Sequence, residues 1–182
     1  MLARRQYRKK RFKKFLPDFI ADSVEAIDFD RLAERGVKAC LIDLDGTVVA
    51  RAQYEVTGPV QRALKNASQR IYIATNRPKS RDLKDLRIDL NADGVVHPKG
   101  KLGKPFKRYY HAALHDLGLQ EGQVVMIGDR YIQDIFGANN AGLYTVLIRN
   151  KVGPAHDWMD SLLSRAERLL TRLIKPAYDE LR

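Results

Sequence analysis

Cysteine is nearly absent from this chain of 182 residues, in which Cys40 stands alone. An internal disulfide and a cysteine-rich zinc site are therefore excluded. A lone thiol in an apolar segment is expected to be structural, and a reducing compartment, the cytoplasm, is expected for the chain. Long apolar runs are also missing. Leu143 to Ile148 is about as long as they get, far short of the roughly 18 residues that span a bilayer, so no transmembrane segment is expected. The basic N-terminus is not followed by an apolar stretch, so no secretory signal is expected. Acids are absent from residues 1–14, where Arg4, Arg5, Arg8, Lys9, Lys10, Arg11, Lys13 and Lys14 supply +8 of the net charge of +11. The rest of the chain carries only +3, so the basicity belongs to an arm. Such an arm suits an anionic partner (nucleic acid, ribosome or membrane surface), the bland alternative being a solvated tail. The remaining composition, 45% hydrophobic and 30% charged, is that of a globular protein and excludes a wholly disordered chain.

The length fits one domain with short appendages. After the arm, Phe12, Phe15, Leu16, Phe19 and Ile20 share one face of a helical spacing that Pro17 interrupts. A helix restarting near Asp18 is expected, then a short one from Asp30 to Arg35 closed by Gly36. These make residues 15–37 a helical lead-in. From residue 38 short apolar runs alternate with helical stretches. Ala39–Leu44, Arg70–Ala74, Gly94–Val96, Val124–Ile127 and Leu143–Ile148 read as strands. Pro59–Ser68, Arg81–Leu90, Pro105–Leu117 and Ile132–Ala141 read as helices. Runs that are apolar throughout imply burial on both faces. The expected fold class is α/β: a Rossmann-like, doubly wound parallel sheet of about five strands with helices on both faces, over residues 38–150. Residues 151–182 are expected to form a C-terminal amphipathic helix, from about Asp157 to Ile174. Its stripe of Trp158, Leu162, Ala166, Leu169 and Leu173 packs on the core or meets a membrane or partner surface.

The chemistry concentrates at strand ends. The first core strand runs into Asp43-Leu44-Asp45-Gly46-Thr47. Residues i and i+2 of an extended chain share a face, and two adjacent buried carboxylates call for a cation or a shared proton. The second strand ends in Thr75-Asn76 and the fourth in Gly128-Asp129, with Asp134 five residues on. Lys104 opens the helix after the third, with Lys99 and Lys101 as competitors for its place. In an open α/β sheet these ends form the ligand crevice. His111 and His115 lie one helical turn apart, a spacing that can bind zinc, but Ala112 stands where a zinc protease needs glutamate; surface histidines are expected.

Taken together, Asp43-Leu44-Asp45-Gly46-Thr47, Thr75, Lys104 and Gly128-Asp129 with Asp134 resemble the haloacid dehalogenase (HAD) superfamily of phosphohydrolases. They stand in the right order over residues 38–150. The resemblance implies that Asp43 is the nucleophile and forms an aspartyl-phosphate. It implies that Asp45 protonates the leaving oxygen and then activates water. Mg²⁺ is implied as cofactor, held by Asp43, Asp129 and the main-chain carbonyl of Asp45, with Asp134 as a further ligand or acting through water. Thr75 and Asn76 are expected to bind substrate, and Thr75 and Lys104 to stabilise the phosphoryl group. The presence of Asp45 favours a phosphatase over a dehalogenase. Neither Thr47 to Arg70 nor Thr75 to Lys104 has room for a cap domain, so an open site is expected, one suited to a substrate that brings its own bulk.

Within the superfamily the chain looks most like the YqeG-like group, related to phosphatidylglycerophosphate phosphatases. Leu16-Pro17-Asp18-Phe19, Ser23, Ile27-Asp28 to Gly36 and Lys104-Pro105 carry that likeness, which extends it to residues 15–150. It implies hydrolysis of phosphatidylglycerophosphate to phosphatidylglycerol, at an anionic membrane surface that the arm would favour, hence a peripheral position at the inner face. The alternatives are nucleic-acid or protein phosphoesters, or a non-catalytic RNA-, ribosome- or membrane-binding protein on the same fold. Lys104 to Tyr110 mixes cations with aromatics as nucleic-acid sites do, although at helical spacing such aromatics also suit a core.

Overall fold

The computed structural model describes residues 13–98, 100, 102–150, 152–153 and 179–180. Residues 1–12 of the arm, Lys99, Lys101 and the helix expected over 157–174 lie outside them. The strands are β1 (Phe19–Ala21), β2 (Ala39–Ile42), β3 (Arg70–Ala74), β4 (Gly94–Val96), β5 (Val124–Gly128), β6 (Tyr144–Ile148) and β7 (Asp179–Glu180). They form one parallel sheet in the order β4-β3-β2-β5-β6-β1-β7. All five expected core strands are present, and β1 and β7 extend the sheet beyond β6.

The central strands β2 and β5 are buried throughout, as continuous apolar runs between two helical layers should be. Alternate residues serve opposite faces. Cys40, Ile42, Ile71, Ile73, Val125 and Ile127 share a core with α1 (Phe29–Glu34), α2 (Gly58–Asn66) and α3 (Arg81–Asp89). Leu41, Ala74, Val124 and Met126 pack against α4 (Lys107–Leu117) and α5 (Gly137–Ala141). The helix expected over 132–141 begins as a π-helix, Tyr131–Phe136, before continuing as α5. Pro105 and Lys104 precede α4 and do not open it.

One expectation is overturned. The chain does not restart as a helix at Asp18 but as β1, so the lead-in is not purely helical. The Asp18 carboxylate accepts from the Thr145 main-chain N–H at 3.0 Å and from its hydroxyl at 3.2 Å. In return the Asp18 N–H donates to Thr145 Oγ1 at 3.1 Å. These bonds set Phe19 opposite Val146, and all of β1 is buried. Pairing with an otherwise open sheet edge outweighs a helical spacing that Pro17 had already weakened.

From β2 the chain moves outward through β3 and β4, then crosses back to β5 on the other side. The carboxyl ends of β2 and β5 therefore flank the point where strand order reverses, the place where such sheets bind ligands. Between Thr47 and Arg70 lie only a loop and α2, and between Thr75 and Lys104 only α3, β4 and their connections. No cap domain covers the crevice among the described residues. No helix among them is long and apolar enough to cross a membrane.

Candidate active site

Asp43 extends the ladder one residue past β2, its N–H donating to the Ile127 carbonyl at 2.9 Å. That pairing fixes it beside the end of β5, where Asp129 follows Gly128. Asp134 comes from the π-helix. Asp43, Asp129 and Asp134 bring carboxylate oxygens within 4.8 Å of one another, and all three residues are buried. Two glycines permit this closeness. Gly46 turns the chain at φ +86°, and a Cβ there would stand 2.9 Å from Asp129 Oδ2. A Cβ on Gly128 would fall 2.4 Å from the Asp134 carboxyl carbon. The Thr47 hydroxyl donates to Asp129 Oδ1 at 3.3 Å.

Lys104 supplies the cation. Its Nζ donates to Asp43 Oδ1 at 2.5 Å and to Asp134 Oδ1 at 2.7 Å, on a side chain that is 1% exposed. Asn76 aligns it: the Lys104 N–H donates to Asn76 Oδ1 at 2.8 Å, and Asn76 Nδ2 donates to the Lys104 carbonyl at 3.0 Å. Asn76, expected to bind substrate, thus brackets the main chain of Lys104. Thr75 is buried at the end of β3, its Oγ1 accepting from the Arg77 N–H at 3.0 Å, which leaves its hydroxyl hydrogen to donate elsewhere. One oxygen of Asp134 is turned into the site, and the other accepts at 3.1 Å from the N–H of Arg130, the residue that precedes the π-helix.

Asp45 is set apart. Its carboxylate is not in the triad but faces Arg77, which donates through Nη2 at 2.6 Å and Nε at 3.0 Å. Partial burial alone would raise its pKa, but the bonds from Arg77 and from the Ala52 N–H outweigh this and hold it below the ordinary aspartate value. The triad is opposite in character. Burial pushes Asp43 up to about 7; Lys104 pulls it down, while Asp134 and Asp129 add to the rise. Asp134 is raised as well, first by burial. Burial alone would lower Lys104, yet Asp134 and Asp43 hold it protonated and above the usual lysine range. One ammonium among three carboxylates leaves two formal negative charges in a dry site. Oxygen-only donors with that excess fit a hard divalent cation.

The comparisons agree with this geometry. A family model described as HAD-hydrolase-like matches residues 101–169. A probable phosphatase, YqeG, of Bacillus subtilis is 28% identical over 139 residues, covering 75% of this chain and 78% of that protein. The chain is similar to the YqeG-like phosphatases of the HAD superfamily, and these likenesses together with the acidic site are those of a HAD-type phosphatase, a phosphoric monoester hydrolase. A HAD phosphatase from Thermococcus onnurineus shares the fold with a TM-score of 0.53 at 20% identity, over 74% of this chain and 98% of the other. A haloacid dehalogenase-like hydrolase from Brucella suis does so with a TM-score of 0.56 at 16% identity, over 68% and 89%.

Asp43, Asp129, Asp134 and Lys104 therefore meet here from four separate segments, and Thr75 stands at the end of β3, the strand beside β2. Thr47, named in the sequence only as the end of its motif, braces Asp129, and Arg77, which the sequence did not single out, holds Asp45. Arg77's only signal was its place two residues after Thr75. His111 and His115 lie outside the site; their side chains are 44% and 89% exposed, and they face Glu121 and Asp116. Cys40 is buried in β2, and burial raises its thiol pKa, as suits a structural residue.

Proposed function

We propose that this phosphatase is Mg²⁺-dependent, works through an aspartyl-phosphate on Asp43, and removes the terminal phosphate of phosphatidylglycerophosphate. The observation that carries the mechanism is the buried Asp43 carboxylate at the switch point, with Lys104 at 2.5 Å and two further carboxylates beside it. In the first half-reaction an Asp43 oxygen attacks phosphorus and the bond to the leaving oxygen breaks. Asp45, ionised while Arg77 holds it, takes up a proton from solvent as that contact opens and passes it to the leaving oxygen, so an alcohol departs. In the second half-reaction Asp45 takes a proton from water, the water oxygen attacks phosphorus, and Asp43 is released with inorganic phosphate. Thr75 donates to a phosphoryl oxygen, and Lys104 offsets the negative charge that gathers there. A Mg²⁺ ion held by Asp43, Asp129 and the Asp45 main-chain carbonyl, with Asp134 as a further ligand, would supply the remaining charge neutralisation.

The lipid assignment is supported by the YqeG-like resemblance, by an uncapped crevice and by the basic arm. The nucleic-acid alternative loses part of its sequence support, because Tyr109 and Tyr110 are buried and offer no platform for stacking bases, while Phe106 is exposed and the arm suits either anion. The deciding experiment measures phosphate release by the full chain with Mg²⁺. Its substrates are phosphatidylglycerophosphate in mixed micelles, a 5′-phosphorylated oligonucleotide and a small chromogenic ester. Chelator and Asp43→Asn should each abolish turnover, and the lipid should be the best substrate. Near wild-type turnover by Asp43→Asn rejects the covalent mechanism. Faster hydrolysis of the oligonucleotide rejects the lipid.

A further inference from the structure

Both oxygens of Asp45 are occupied. Oδ1 accepts from Arg77 Nη2 at 2.6 Å and from the Ala52 N–H at 3.0 Å, and Oδ2 accepts from Arg77 Nε at 3.0 Å. The guanidinium is fixed in turn. Its Nη1 and Nη2 donate to the Gln53 carbonyl at 3.1 and 3.2 Å, and it lies over the Tyr54 ring at 4.8 Å from the centroid. The arginine side chain is 12% exposed, its aspartate partner 25%. The acid/base of the proposed reaction is thus tethered by a two-bond fork, outside the Asp43, Asp129 and Asp134 cluster.

We propose that Arg77 is the specificity-determining residue of this site. Its guanidinium docks a second anionic group, a phosphoryl or phosphodiester on the leaving-group side of the substrate, and in doing so releases Asp45 toward the leaving oxygen. The inference rests on the phosphatase reading above. Drawing Asp45 away without replacement would leave a largely buried cation unpaired, which is costly. A neutral leaving group offers no replacement. A phosphoryl or phosphodiester anion does, because it accepts the same planar pair of N–H bonds that the carboxylate accepted. Position supports the pairing of roles. The Arg77 N–H bonds to Thr75 Oγ1, so the group that reads the second anion is tied to the residue that meets the reacting phosphoryl. In the proposed lipid, the phosphodiester joining the two glycerols lies three carbons from the reacting ester oxygen and supplies that anion.

The test uses a matched pair of soluble probes, propane-1,3-diol monophosphate and propane-1,3-diol bisphosphate, with the full chain and Mg²⁺. The wild type should prefer the bisphosphate in kcat/KM. Arg77→Gln should lower that preference about tenfold to a hundredfold, the value of a charge-assisted hydrogen bond or two, with KM for the bisphosphate rising more than KM for the monophosphate. Arg77→Lys, which keeps the charge but not the fork, should recover part of the preference. Tyr54→Leu, which removes the ring beneath the guanidinium, should lower it by less than Arg77→Gln. These two variants decide the matter should Arg77→Gln fail to give a cooperative thermal transition. A preference undiminished in Arg77→Gln, or undiminished in both other variants, overturns the proposal while leaving the phosphatase intact, as does a wild type that treats the two probes alike. Absence of phosphate release from every ester by the wild type overturns both readings together.

Discussion

Asp43 is held in a place that opposes its charge. Burial raises its pKa to about 7 from an ordinary value of 3.8, Lys104 offsetting part of the rise and the other two carboxylates adding to it. Between those two pH values the folded chain holds a proton that the unfolded chain has lost. The stability this confers is present in full below the lower value and disappears as pH climbs through the upper one. In chelator, Asp43→Asn should therefore unfold at a higher temperature than the wild type at pH 8, and the gap should close toward pH 4. Added Mg²⁺ should narrow the gap at pH 8. A gap that does not change between pH 4 and pH 8 rejects this account. Asp45 presents the opposite case, a carboxylate kept ionised by Arg77 and by the Ala52 N–H despite partial burial. A positioned acid/base contributes about 10²–10⁴-fold, so Asp45→Asn should slow hydrolysis of an alkyl phosphate by that order. Loss of less than tenfold in steady-state turnover counts against its assigned role.

At the scale of elements, β1 is held by its pairing with β6 and by Asp18, the residue just before it. Asp18 pairs with both the N–H and the hydroxyl of Thr145, which is fully buried. Asp18→Ala should destabilise the fold by roughly 1–3 kcal/mol, the cost of leaving a buried donor unsatisfied, seen as a lower denaturant midpoint with an unchanged slope. Asp18→Asn, which retains an acceptor oxygen, should lose less. This element also shows where the sequence was readable and where it was not. The core strands were legible because Ala39 to Ile42 and Val124 to Gly128 are apolar without interruption, a pattern that parallel pairing under two helical layers demands. Three residues such as Phe19 to Ala21 carry no periodicity of their own, and their partner lies more than a hundred positions away. The site was legible to the same extent. Asp43, Thr75 and Asp129 announce themselves at strand ends, since topology must bring those ends together, and Asp134 follows within one turn or so of the last. Geometry alone selects Lys104 among the described residues, through its contacts with Asp43 and Asp134. Arg77 was missed because a lone arginine in a loop has no pattern, and its meaning comes from the turn that brings Asp45, Gln53 and Tyr54 around it.

The whole molecule separates its chemistry from its concentrated charge. The catalytic groups stand at the carboxyl edge of the sheet. The root of the arm is fastened toward the other edge: Phe15 stacks on Phe136 at 4.6 Å between centroids, Asn139 Nδ2 donates to the Lys14 and Leu16 carbonyls, and Asn140 Oδ1 accepts from Lys14 Nζ. Residues 1–13 stand before Lys14, a length that would span about 45 Å if extended, well beyond the roughly 17 Å length of a five-residue strand. An arm tied at one edge can therefore bring the crevice at the other edge to an anionic surface without touching the reacting groups. Each Lys or Arg near such a surface contributes about 1 kcal/mol, screened beyond about 8 Å at physiological ionic strength. Deleting residues 2–12 while keeping Lys14 and Phe15 in place should weaken co-sedimentation with anionic vesicles and lower hydrolysis of phosphatidylglycerophosphate in them. Hydrolysis of a soluble chromogenic ester should hardly change. Binding of the full chain should fall as salt rises, and neutral vesicles should bind poorly at any salt. A short RNA run in parallel sets the competing partner against the membrane: if the full chain ignores anionic vesicles and binds the RNA tightly, the arm serves nucleic acid and the lipid assignment goes with it.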